Sequence, residues 1–321
     1  MSRSRAKPHS DLERIYRALR RIRRAEEVTA EIYPSDRIKS PVHLAIGQEQ
    51  ISVGVCDALE GGDWVGGSYR SHAMHLAKGG EMKGLMAEMF GKGTGCCRGK
   101  GGSMHIIDVK AGVMGSSAVV GTQIPMATGY ALAAKMAGKG RVVAVFFGDG
   151  ASEEGCFYES LNFAALHRLP ILYVCENNGY AIHEPIAKRR AKTDGIREVA
   201  QALGVPAVHV ADGDVFTIRA EAETAVAALR RGEGPRLIEA QVYRWRQHVG
   251  PQEDFDQGYR SADEARWWME NDQVEKLGER LAPDLRAEID REVETEIAAA
   301  IAFAEQSPIP QPEELYADVF A

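Results

Sequence analysis

The chain has 321 residues, 45% hydrophobic and 26% charged, with a net charge of -7. That is an ordinary globular composition, and the acidic balance excludes a general electrostatic case for nucleic acid. The basic start MSRSRAKPHS is followed by no apolar stretch, and no run reaches membrane-spanning length. The sequence therefore predicts neither a secretory signal nor a membrane anchor. Five cysteines, an odd number scattered mostly through apolar segments, predict free thiols in a reducing cytoplasm.

Ser10-Asp11-Leu12-Glu13 has the form of a capping box and opens a helix predicted over residues 10–32. Its arginine run reads as a solvated helix face. Pro34 and Pro41 bracket a loop. A helix over 46–59 carries Ile51, Val55 and Leu59 at helical spacing and ends at Gly61-Gly62. Residues 71–78 and 81–90 read as short helices. Residues 91–102 hold six glycines in twelve positions, too many for a regular element. Such a stretch is either a loose surface loop or one that lets the backbone approach something closely. Within it, Cys96-Cys97 has no second cysteine or histidine pair at zinc spacing, and reads as loop packing. Residues 122–138 form a small-residue helix suited to tight contact.

Two short apolar runs follow, VVAVFF at 142–147 and ILYVC at 171–175. Bounded by glycines and polar residues, they read as buried strands, with a helix over 153–167 between them. The first leads into Gly148-Asp149-Gly150, the second into Asn177-Asn178-Gly179-Tyr180. A crossover of this kind puts both clusters at the carboxyl ends of parallel strands, where open α/β sheets bind ligands. One carboxylate, one amide oxygen and a free carbonyl there form an oxygen-only site that suits Mg²⁺ shared with phosphates. The N–H groups of Gly150 and Ala151, opening the helix, can hold phosphate oxygens. Taken singly, Asp149 reads equally as a helix N-cap and the asparagine pair as a turn.

Strands over 205–210 and 237–242 flank an alanine-rich helix over 214–230. Beyond residue 261 only helices remain, over 262–270, 272–281 and 283–305. The alternation predicts an α/β fold with a doubly wound, mostly parallel sheet over residues 41–260. Helical arms occupy 1–40 and 261–321.

Ordered motifs run through the chain: HLAIGQE at 43–49, YRSH at 69–72, GTGCCRGKGGSMH at 93–105, VGTQIP at 120–125 and ENNGY at 176–180. Together with GDG they resemble the alpha subunit of thiamine-diphosphate-dependent 2-oxo acid dehydrogenases, the pyruvate, acetoin and branched-chain types, over residues 10–270. The resemblance implies Mg²⁺ held by Asp149, Asn178 and the Tyr180 carbonyl. It implies cofactor contacts from Tyr69, Arg70, Ala118, Val120, Gly148, Asp149, Gly150, Ala151, Asn178, Arg244 and His248. Catalytic roles fall to His248, His43 and His72. It further implies a beta subunit that supplies a glutamate to the cofactor's pyrimidine ring, an α₂β₂ assembly, and a lipoyl acyltransferase as a possible further partner. One segment departs from the family pattern. Residues 246–254, RQHVGPQED, keep His248 but lack the serines of the common His-Gly-His-Ser-X-Ser-Asp-Pro loop, so regulation by phosphorylation there is not expected. The altered loop leaves open a carbon–carbon ligase or transketolase-like half enzyme that works without the acyltransferase.

Overall fold

A computed structural model describes residues 10–317; residues 1–9, most of the basic start, and 318–321 lie outside the described residues. Helix α1 (Asp11–Ile32) starts where Ser10 caps it, its hydroxyl accepting the Glu13 N–H at 3.2 Å. There follow α2 (Glu49–Asp57), β1 (Trp64–Ser68), α3 (His72–Ala77) and α4 (Met82–Met89). Next come β2 (Val113–Ser117), α5 (Gln123–Ala137), β3 (Val143–Gly148), α6 (Gly155–Leu166) and β4 (Ile171–Asn177). A small hairpin, β5 (Tyr180–Ala181) and β6 (Glu184–Pro185), leads into α7 (Ile186–Arg189) and α8 (Gly195–Ala202). The sheet is completed by β7 (Ala207–Val210), α9 (Val215–Arg230) and β8 (Arg236–Gln241). Helices α10 (Ala262–Glu270), α11 (Gln273–Glu279) and α12 (Pro283–Gln306) close the chain.

Six strands form one parallel sheet in the order β2-β1-β3-β4-β8-β7. This is the expected α/β architecture. Residues alternate across β4, so Leu172 and Val174 join a core with α2 and α9, while Ile171, Tyr173 and Cys175 join one with α5 and α6. Both faces are covered, which is why β3 and β4 read as continuous apolar runs. Strands β1 and β2, WVGGS and VMGSS, escape a sequence reading because glycine and serine replace the usual β-branched residues. Their glycines have a packing reason. A Cβ on Gly66 would lie 2.3 Å from the Met114 methyl, and one on Gly67 would lie 3.0 Å from the Met74 sulfur.

The chain runs from β1 out to edge strand β2, then returns across β1 to form β3. The connections therefore diverge between β1 and β3, and a crevice opens at their carboxyl ends.

The two terminal arms meet. Helices α1, α4, α11 and α12 share a separate apolar core around Tyr16, Leu19, Met86, Leu277 and Val293. The arginine run of α1 is not simply a solvated face. Arg20 reaches Asp290 at 3.1 Å, Arg21 reaches Glu296 at 2.8 Å and Arg24 reaches Glu294 at 2.6 Å, all on α12. Arg23 is buried between Glu49 and Asp272, with its guanidinium 4.3 Å from the Trp245 ring centroid.

The glycine-rich loop is ordered around a buried anion. The Glu88 carboxylate accepts the N–H groups of Cys97 (2.8 Å), Gly99 (2.9 Å), Gly101 (2.8 Å) and Gly102 (3.1 Å). Cβ atoms on Gly95 and Gly101 would lie 2.6 Å from the Glu88 Cα and 2.1 Å from the His105 carbonyl oxygen. The close approach is to the protein's own backbone, and the cysteine pair sits inside this packing.

Candidate active site

The crevice at the β1–β3 divergence is a cavity of about 280 Å³. Its walls come from the ends of three strands and the turns beyond them: Tyr69 and Arg70 after β1, Ser117 and Val119 to Gly121 at the end of β2, and Gly148, Gly150 and Ala151 at the end of β3, while Asp149 is buried and does not line it. Asn178, Tyr180 and His248 complete it. The GDG and asparagine clusters thus converge as their strand positions required. One local detail differs from expectation. Asp149–Glu153 form a 3₁₀ turn, so Gly150 and Ala151 lie in that turn and α6 begins only at Gly155.

Asp149 is fully buried. Its Oδ2 pairs with Arg189, whereas Oδ1 is buried without any hydrogen-bond partner. An unsatisfied buried carboxylate oxygen is costly, and such atoms in native proteins mark missing ions or waters. Burial raises the Asp149 pKa, and Arg189 opposes the rise. The Asn178 side chain donates to Gln48 Oε1 at 2.9 Å, and its Oδ1 accepts the Tyr180 N–H at 3.0 Å, which leaves one lone pair. Hard oxygens with one unused position each fit a small divalent cation. Asn177 instead donates to Glu239 at 2.8 Å and accepts the Gly179 N–H. Of the pair, one faces the cavity and the other builds the turn.

Arg70 lines the same cavity. It is buried, and it donates only to the carbonyls of Leu44 (2.5 Å) and His248 (3.1 Å). No carboxylate pairs with it. Burial, reinforced by the Arg244 charge, pushes its pKa down to about 10. A buried cation without a counter-ion is a vacancy for an anion, and the planar fork suits phosphate oxygens.

Two rings, Tyr69 and His248, line the cavity, and His43, which does not line it, packs against both. His43 lies 4.3 Å from Tyr69 and 5.2 Å from His248, centroid to centroid. Burial, then the Arg70 charge, pushes His43 down to about 2 and His248 down to about 3. Both imidazoles are therefore neutral at pH 7 in this state. The His43 Nδ1 is buried and unpartnered.

Other residues singled out in the sequence lie elsewhere. His72 does not line the cavity: it is buried, with Nδ1 3.1 Å from Glu26 and Nε2 2.8 Å from Ser103. It ties α1 to the glycine-rich loop. Arg244 is also behind the wall, bonded to Tyr259 (3.1 Å), the Ile182 carbonyl (3.3 Å) and Asp254 (3.4 Å). It acts on the site through its charge and by bracing the 246–254 loop. Ala118 sits between the lining residues Ser117 and Val119 without lining the cavity itself.

Among the lining residues that sequence reasoning missed, three stand out. Gln48 orients Asn178, a role no spacing reveals. Glu176 is buried at the end of β4, where burial pushes its pKa up to about 8 against the pull of Arg70. A charged residue ending an apolar strand was a usable signal. Ile182 holds φ at +55° with its side chain 56% exposed at the cavity. A β-branched residue in that region is strained, and only coordinates reveal it.

The family model described as dehydrogenase E1 component matches residues 17–313. The chain belongs to the dehydrogenase E1 component family. It is 38% identical over 311 residues to the alpha subunit of acetoin:2,6-dichlorophenolindophenol oxidoreductase of Bacillus subtilis, covering 95% of this chain and 92% of that one. It is also 38% identical to pyruvate dehydrogenase E1 component subunit alpha of Porphyra purpurea (93% and 90% covered) and of Rhizobium meliloti (95% and 88%). The resemblance seen in the motifs is therefore borne out. This is an alpha-type E1 subunit of the thiamine-diphosphate-dependent, decarboxylating class, and a beta subunit is its partner. Among the described residues, no helix is long and apolar enough to cross a membrane.

Proposed function

We propose that residues 41–260 hold thiamine diphosphate through Mg²⁺, and that the chain acts on a small 2-oxo acid within an α₂β₂ assembly. Asp149 Oδ1, Asn178 Oδ1 and the Tyr180 carbonyl bind the ion. Arg70, Tyr69 and the turn at Gly148 to Ala151 take the diphosphate, and Val120 and the backbone near Ala118 face the pyrimidine ring. One observation carries the reading: an orphaned carboxylate oxygen at Asp149, at the end of β3, in the same crevice region as a buried Arg70 whose guanidinium bonds only backbone carbonyls.

When bound, thiamine diphosphate supplies the nucleophilic carbon and the electron sink for decarboxylation. The chain's own residues bind, orient and handle protons. His248, which lines the cavity, and His43, packed against it, would handle protons there, and an anion bound at Arg70 would offset the charge that lowers their pKa values. Arg244 braces the loop that presents His248. The lipoyl group of an acyltransferase is the acceptor in this reading.

In this reading the beta subunit brings the glutamate that serves the pyrimidine ring. A surface beside the cavity supports docking of that subunit. Helices α5 and α6 expose Met126 (49%), Met136 (80%) and Leu166 (74%), large apolar side chains that a partner could cover. A Cβ on Gly129 of α5 would meet nothing within 4 Å, so a partner backbone can approach there.

The test is co-expression with the beta subunit, followed by CO₂ release from a panel of 2-oxo acids with thiamine diphosphate and Mg²⁺ present. The complex should turn over and the lone chain should not. Equal turnover by the lone chain would contradict the shared-site reading.

A further inference from the structure

We infer that Arg189 is a positioning residue for the metal site: it holds Asp149 by Oδ2, so that Oδ1 alone faces the ion. The inference rests on the metal site proposed above.

Arg189 ends α7, only nine residues beyond Tyr180. Its side chain is 10% exposed and three groups use its fork. One arm pairs with Asp149 Oδ2, the other with Glu153 Oε1, and Nε donates to the Glu184 carbonyl at 3.0 Å. The terminal torsion of an aspartate is broad and roughly two-fold, so a carboxylate without such a clamp would present either oxygen. Here the two oxygens have different fates: Oδ2 is taken, and Oδ1 is buried with nothing to bond. The glycine at 150 makes room for Ala181 of the hairpin that leads to α7. A Cβ there would lie 2.7 Å from the Ala181 Cβ and 3.8 Å from Arg189 Nη1.

Two electrostatic effects oppose each other. A guanidinium near the site repels a divalent ion, which favours metal binding when it is removed. Fixing the ligand oxygen in advance favours metal binding when it is present, and partners of ligating carboxylates are typically worth about 10–100-fold in metal affinity. The separation of the two oxygens decides for the second effect, because the ion takes Oδ1 without evicting Arg189.

The test uses the α–β complex saturated with thiamine diphosphate, titrated with Mn²⁺ while free Mn²⁺ is followed by electron paramagnetic resonance. Arg189→Gln should weaken Mn²⁺ binding by about tenfold. Arg189→Lys should recover part of the loss, since it restores the cation but not the fork. The melting temperature of the metal-free complex should fall in Arg189→Gln, which strands the buried Asp149 carboxylate, and fall less in Arg189→Lys. Mn²⁺ binding by Arg189→Gln as tight as in the wild type, or tighter, overturns the inference. Asp149→Asn is the separate control: if it binds Mn²⁺ like the wild type, the metal-site reading itself fails and the role of Arg189 falls with it.

Discussion

Arg70 Nη2 donates to the backbone carbonyl of His248 at 3.1 Å, so the cation just beyond β1 also holds the loop that carries the site's histidine. The anion site and the histidine are therefore mechanically one unit. Arg70→Gln should lower cofactor affinity by at least about 100-fold, the scale of a lost charge-assisted bidentate contact. Folding stability should change by less than about 1 kcal/mol, because removing an unpaired buried charge offsets the two lost carbonyl contacts. Thermal shift of the α–β complex with and without thiamine diphosphate reads both.

Acid sensitivity has a stated sign. Burial holds His43 at about 2 and His248 at about 3, whereas unfolded imidazoles titrate near 6.5. Between those values the unfolded chain binds more protons. Stability is thus full above about pH 6.5 and falls as pH drops toward about 3. The double variant His43→Asn, His248→Asn should flatten that decline. Urea midpoints at pH 7.5 and 5 check it: an equal drop in variant and wild type would refute the assignment.

Glu88 gathers four backbone N–H groups of the glycine-rich loop. Glu88→Gln removes the charge and turns an amide NH₂ toward those donors. A loss on the order of 3 kcal/mol is expected, with faster hydrogen exchange at residues 97–102. Unchanged exchange there would mean the loop is held by other contacts.

The arginines of α1 should differ sharply in worth. Arg23 is buried against Glu49 and Asp272, and Arg23→Ala should cost about 3–5 kcal/mol by stranding two carboxylates. Arg17, paired with an exposed Glu292, should cost less than about 1 kcal/mol when replaced by alanine. Chemical denaturation of the two variants separates them.

The legible parts of the sequence were those governed by local periodicity. Strands β3 and β4 stand out because both sheet faces are covered, and the crossover between them places Asp149 and Asn178 together before any coordinates are known. Strand β1 is hidden because its glycines make room for Met114 of β2 and Met74 of α3, and β2 because it too is built on glycine and serine. The arginine run of α1 looked solvated because its partners on α12 lie about 270 positions away in the chain. His72 belonged to the right motif, yet its neighbours are Glu26 and Ser103 rather than the cavity. Residues that act by orienting others, such as Gln48 and Arg189, carry no signature of type or spacing.

The most direct test is a crystal of the α–β complex grown with thiamine diphosphate and Mn²⁺, measured for anomalous scattering. The expected result is one Mn²⁺ peak about 2.1 Å from Asp149 Oδ1 and Asn178 Oδ1, an octahedral oxygen-ligand distance, with the diphosphate against Arg70. Bound thiamine diphosphate with no peak between those two side chains would contradict the account.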